Sequence, residues 1–405
     1  MEKETTHQPY LTRRELLVGT AALAGMSLLP RKGWSAPPEP LPTLTSYSPS
    51  VACYWAPKKT HDKTFFMFKK MVEAATDFSW LSRGDRVLLK LAMNSGIAYP
   101  RTTDPWLLNS MIEVLKEKGA KIQVGDSSGC GHVRWTPSEK KGSSRKLCED
   151  LGLLKIIEQN GATPVFFEEK EYDSYLETSP TGSHHWKKPM RITSAVKEVD
   201  HIIYLPRISS HVLAEFTGGM KITVGFLRED SRLALHEGAG DFCPMWEEIS
   251  QVPEISSRLR LIVSTATSLT TLFGPDVGPV VTPDYGLILA STDLLAHDLL
   301  AYAWLKWNRE YMTSPADHIK DGVVTRNRAE RNKGFLKNNW KLPEGHVTPN
   351  LEFFQAGVTG GIYDHPAIVN FMKRKGGQPE KIQLEQLTSN PDSAITDYLK
   401  KEIHA

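Results

Sequence analysis

Cysteine is scarce, with four residues in 405 at irregular separations. Cys53, Cys130, Cys148 and Cys243 form no C-x-x-C pair, which excludes a ferredoxin-type iron-sulfur cluster and a zinc site built from local pairs. In an oxidising compartment they can supply one or two disulfides; as buried thiols they are small apolar side chains, a reading that suits Cys148 in its helical pattern. An excess of either charge is missing too, because 49 Lys and Arg face 47 Asp and Glu. With no basic stripe interleaved with aromatics, nucleic acid is not an expected partner. After the first 30 residues no apolar run reaches membrane-spanning length: Leu287 to Leu305 is broken by Asp293, His297 and Asp298. No G-K-[ST] closes a phosphate loop, and no H-E-x-x-H occurs.

What is present begins with an address. Arg13-Arg14 precedes a small-residue apolar stretch from Val18 to Leu29, the layout of a twin-arginine export signal, with cleavage expected after Ser35. Removing residues 1–35 leaves 44 bases and 44 acids, so the mature chain has no net charge to draw it to an acidic partner or an anionic membrane. The expected location is the periplasm or another exported compartment, reached through the twin-arginine translocase, with no transmembrane helix in the mature chain. Residues 36–50, rich in Pro, Ser and Thr, read as a linker.

From Val51 the pattern is one of short apolar runs alternating with helical spacing. Strands are expected at 86–92, 121–124, 163–167, 202–205, 259–265 and 287–291, and helices at 106–118, 145–159 and 294–307. Such alternation predicts an α/β fold over 51–310, a mainly parallel sheet with helices on both faces in the Rossmann-like manner. Residues 311–405 read as a helical and irregular C-terminal extension whose bases Arg326, Arg328, Arg331 and Lys333 suit a solvated helix face or a partner surface.

Polar loops follow three predicted strands, where open α/β sheets bind ligands. In the first, Gly125, Ser127, Ser128 and Gly129 supply backbone able to cradle an anion or cofactor, and Asp126, Cys130 and His132 supply metal-ligand chemistry. The second carries Arg207 and His211, an imidazole suited to metal binding or proton transfer, with Lys221 downstream to hold a carboxylate or phosphate. In the third, Asp293 reads as a helix cap, while Asp298 is expected to face the crevice. Lys90, Asp126, His211 and Asp298 are expected to converge, with His132 and Lys221 nearby. His184, His185 and His236 are further imidazoles without strand context, of which His236 follows the His211 segment closely enough to return to the same site.

At these loops the chain resembles the domain-of-unknown-function 362 family. The likeness runs through Val87-Leu88-Leu89-Lys90, Thr102-Thr103-Asp104-Pro105, Gly119-Ala120-Lys121 to Gly129, Leu205-Pro206-Arg207 to His211, and Leu287 to Asp298. It departs at Arg207 and Ser209, where the resemblance leads one to expect lysines, and at the missing acid after the strand near 259–263. The resemblance implies a fold and a site more than a reaction. Three functions follow as expectations: a metal-assisted oxidoreductase, isomerase or hydrolase acting on a small anionic substrate, with His211, Asp126, Lys90 and Lys221 in catalytic roles and His211, Asp126, Cys130, His132 and Asp298 as candidate ligands of a divalent transition metal; a metal- or anion-binding delivery protein without turnover; or an interaction module.

Overall fold

The structure is a computed structural model that describes residues 41–58, 64–238, 241–317, 328–342, 361–388 and 392–404. The twin-arginine segment lies outside them, as do the side chains of Arg326, Arg328, Arg331 and Lys333.

Eight strands form the central sheet: β1 Ser50–Pro57, β2 Arg86–Lys90, β3 Lys121–Asp126, β4 Thr163–Phe166, β5 His201–Tyr204, β6 Leu259–Ala266, β7 Tyr285–Ser291 and β8 Gln383–Gln386. Their order across the sheet is β8-β1-β7-β6-β5-β2-β3-β4. Only β7 runs against its neighbours β1 and β6; the remaining neighbouring pairs are parallel, which is the expected mainly parallel α/β class. The sheet takes its last strand, β8, from the segment after residue 310, through pairs such as Leu384 with Val51.

Side chains alternate across the sheet. Ala52, Tyr54 and Ala56 of β1 join Val87 and Leu89 of β2 in one core, with α1 (Phe65–Ala75) and α2 (Pro105–Glu117) above them. On the other face, Trp55 packs edge-on against Trp304 of α3 (Leu294–Trp307), a helix apolar on nearly every side and buried throughout its first twelve residues. Asp293 caps α3 by accepting the Ala296 amide at 2.8 Å. The single helix expected over 145–159 is two, Ser144–Asp150 and Leu153–Gln159, because Gly152 between them adopts φ +74°. Of the two readings open for the cysteines, the structure has the buried-thiol one: all four are buried and free.

One feature of this topology positions the site. From β2 the chain builds outward through β3 and β4, then returns to place β5 on the opposite side of β2, so the carboxyl ends of β2 and β5 flank a switch point. Thr103 ties these ends together. Its hydroxyl accepts from the Ala92 amide at 2.8 Å and donates to the Leu205 carbonyl at 2.7 Å.

Candidate functional site

A cavity of about 440 Å³ opens at that switch point. The segments after β2 (Ala92, Met93, Asn94), β3 (Asp126 to His132) and β5 (His211 to Leu213) all line it, together with Lys221 and Gly225. It lies within the size range of small-molecule sites, about 300–1,000 Å³. Part of its wall is apolar, from Ile222, Leu235, Phe242 and Phe335.

Of the four residues expected to converge, Asp126 and His211 meet at this cavity, where His132 and Lys221 also stand; the loop candidates Ser127, Gly129 and Cys130 and the imidazole of His236 line it too. Lys90, Gly125, Ser128 and Asp298 do not line it. Lys90 is buried and donates to Asp126 Oδ1 at 2.5 Å and to the Leu91 carbonyl at 2.7 Å. Burial pulls its ammonium below the usual lysine range, and the Asp126 charge works against that. The Asp126 carboxylate also accepts the Ser127 amide at 2.8 Å and the Met93 amide at 2.9 Å. This pair is a clamp between the ends of β2 and β3, with both charges taken up by each other. Gly225 covers it: a Cβ there would lie 2.1 Å from Asp126 Oδ1 and 2.5 Å from Lys90 Nζ.

The backbone cradle expected from the first loop is absent at its serines, for a local reason. The Ser127 amide is spent on Asp126, and the Ser128 amide donates to Ser144 Oγ at 2.8 Å. Gly125 serves the sheet instead, where a Cβ would meet the Val165 carbonyl at 1.8 Å. The loop is held from outside by Arg232 of α4, defined here as Glu229–Glu237, whose guanidinium donates to the carbonyls of Ser127, Ser128, Gly225 and Leu227. Sequence reasoning missed Arg232. The available signal was a lone arginine three residues before Leu235, on the face its helix buries.

The metal reading meets three obstacles. Among the described residues, no group of three or more His, Cys, Asp or Glu side chains is arranged to hold a metal ion. The Cys130 thiol, pushed up to about 12 by burial, is not a thiolate at neutral pH. His211 Nδ1 accepts the amides of Leu213 at 3.1 Å and Ala214 at 3.2 Å, so the lone pair of that nitrogen is already engaged. Asp298 is buried beneath the site. Its two oxygens accept the amides of Gly219 at 2.7 Å and Met220 at 2.8 Å, and His297 Nδ1 lies 2.8 Å from Oδ1 while its Nε2 lies 2.9 Å from Ser264 Oγ. The expectation that Asp298 faces the crevice is therefore corrected: it fixes the backbone that delivers Lys221. His185 is held elsewhere, with Nδ1 2.7 Å from buried Glu248.

Lys221 remains. Its amine faces the cavity and makes no hydrogen bond or ion pair among the described residues. Burial, reinforced by the Arg207 charge, brings it down to about 7. At neutral pH it is both a cation able to hold an anion and an amine able to accept a proton.

Among the described residues no helix is long and apolar enough to cross a membrane. The chain is 23% identical over 295 residues to the thylakoid-associated protein sll1697 of Synechocystis sp. (strain ATCC 27184 / PCC 6803 / Kazusa), covering 71% of this chain and 84% of that protein. Among solved structures it is similar to the lactate racemase apoprotein of Thermoanaerobacterium thermosaccharolyticum, at 14% identity and a TM-score of 0.35 over 57% of this chain and 52% of the other, so it spans about half that protein's length. Residues 87–303, more than half of the sequence, match the family described as Domain of unknown function (DUF362), and the chain belongs to that family.

Proposed function

We propose that this protein binds a small organic anion in the switch-point cavity and that Lys221 both holds its negative group and exchanges a proton with it. The observation that carries the reading is the Lys221 amine, unpartnered among the described residues in a partly apolar cavity and brought to about 7. An ionised ligand group supplies the missing counter-charge, and Phe242, Phe335 and Ile222 suit an apolar body. A lysine balanced between its two forms at working pH is suited to general acid-base chemistry, so we place the protein among enzymes that move a proton on a small anionic substrate. No metal enters this proposal, because Asp126 and Asp298 are taken up by Lys90, His297 and backbone amides and Cys130 is held as a thiol. The Arg13-Arg14 signal makes it, on this reading, an exported protein.

Calorimetric titration of a panel of short-chain carboxylates tests the site. Wild type is expected to bind at least one member, and Lys221→Met to lose at least roughly tenfold in affinity, as loss of a charged hydrogen bond implies. Equal binding by both proteins would sink the assignment. Export is checked separately: replacing Arg13 and Arg14 by Lys should retain the chain in the cytoplasm, since lysine lacks the planar guanidinium, and unchanged export would overturn that part.

A further inference from the structure

Arg207 follows β5 by three residues and is among the largest fully buried side chains, only 1% exposed. Its Nη1 donates to Ser209 Oγ at 3.1 Å. Its Nε and Nη2 have no partner among the described residues and are shut off from solvent. These two N–H groups form one edge of the guanidinium, an edge that holds a carboxylate side-on at three other arginines and backbone carbonyls at Arg232. Arg86 holds Asp200 through it at 3.2 and 3.1 Å, Arg145 holds Glu169 at 2.7 and 2.8 Å, and Arg228 holds Asp230 at 3.0 and 2.7 Å. In those three pairs a carboxylate sits side-on against the guanidinium, whereas at Arg207, more deeply buried than any of the three, both N–H groups of that edge lack a partner.

A buried, unmatched guanidinium edge is costly, and two aligned donors select an oxyanion with two accepting atoms. The surroundings locate that oxyanion. The charges acting on Arg207 are Asp276, which favours its cation, and Arg101, while Arg207 in turn acts on Lys221. Lys221 and Asp276 are cavity walls, and Ser209 pairs across a short hairpin with Thr217, another wall residue. Arg207 therefore stands behind the wall that carries Lys221. Burial lowers it only to about 10, so it remains a cation at working pH.

We propose that the ligand of this cavity carries two negative groups, one held by Lys221 and a second oxyanion, carboxylate or phosphate, seated side-on against Nε and Nη2 of Arg207. This rests on the organic-anion reading and adds a substrate class to it: dianions rather than monoanions. Arg207 does not itself line the cavity, so this seating requires the wall between its guanidinium and the cavity to yield. Arginine stands here where the family resemblance leads one to expect lysine, which changes a point charge into a fork and favours a planar or bidentate group.

The test is a length-matched comparison by calorimetry at neutral pH, with propanoate, butanoate and pentanoate against malonate, succinate and glutarate, plus 3-phosphonopropanoate to separate carboxylate from phosphate as the second group. In wild type, a diacid of one length should bind at least tenfold tighter than its monoacid. Arg207→Lys, which keeps the charge and loses the fork, should reduce that ratio to below threefold with monoacid affinity unchanged. If Arg207→Lys does not fold by circular dichroism, Ser209→Ala serves instead, because it removes the oxygen that orients the guanidinium and should also lower the ratio. Monoacids that bind through Lys221 with no advantage for any dianion, or an advantage that survives loss of the fork, would overturn the Arg207 assignment alone. Failure of every probe to bind in a Lys221-dependent way would overturn the anion reading and this inference with it.

Discussion

A lysine brought to about 7 makes anion affinity steeply dependent on pH in a range where an ordinary lysine, at 10.5, would leave it flat. The perturbation is a change of buffer from pH 6 to pH 9, with one bound carboxylate as the probe. If only the ammonium form binds, the charged fraction of Lys221 falls from about nine-tenths at pH 6 to about one-half at pH 7 and about one-hundredth at pH 9. Affinity should then weaken by about ninety-fold across the range, most of it above pH 7. Binding at pH 8 should take up about 0.9 proton, read from calorimetry in two buffers of different ionisation enthalpy.

Histidines 132, 211 and 236 also line the cavity, so the assay needs a variant that isolates the amine. Lys221→Arg keeps a positive charge throughout and should flatten the profile; a slope that persists in it would assign the titration to an imidazole and refute the reasoning. Stability gives an independent sign. Lys221 loses its proton near pH 7 when folded and near 10.4 when unfolded, so between those values the unfolded chain holds more protons. The contribution of Lys221 to stability therefore rises with pH through that window, and its penalty is fully present below pH 7. A bound anion reverses the trend by holding the proton in the folded state.

Three further substitutions follow from the contacts beneath the cavity. Asp298→Asn leaves one of the Gly219 and Met220 amides without an acceptor, so it should destabilise the fold by about 1–3 kcal/mol and weaken carboxylate binding about tenfold, measured by urea unfolding and calorimetry; unaltered binding would remove Asp298 from the support of Lys221. Lys90→Met and Asp126→Asn each strand a buried partner and should lose about 3–5 kcal/mol, whereas Lys90→Met combined with Asp126→Leu should recover part of that loss, and strictly additive losses would show that the pair is not coupled. Gly225→Ala drives a Cβ into the same pair and should lower stability by about 1–3 kcal/mol or more, with a neutral result disproving the tight cover over Asp126.

The sheet was largely legible because its strands are short apolar runs that end in polar loops. Its direction was not: the run in β7 reads like those in β2 and β6, and nothing in an apolar string records that β7 is antiparallel. Strands β1 and β8 were also out of reach, since they pair Val51 with Leu384 across more than 300 residues and neither carries a local turn signal toward the other. The helix over 145–159 was overextended because its apolar spacing continues through Gly152, and only the left-handed φ at that position breaks it.

At the site, sequence located polar residues correctly at strand ends but could not assign their partners. Asp126 looks like a metal ligand until Lys90 and two amides occupy it, and Asp298 looks like a crevice residue until Gly219, Met220 and His297 surround it. A buried polar group that finds its partners is framework, and one that does not is a demand on something outside the chain. By that criterion the residues singled out for their chemistry divide in an unexpected way. The acids Asp126 and Asp298 are spent inside the protein, whereas the cations Lys221 and Arg207 retain unused donors at or behind the wall of one cavity. A site framed by satisfied carboxylates and finished with unsatisfied cations favours negative charge, which is why we propose an anion rather than the metal cation that the same residue types first suggested.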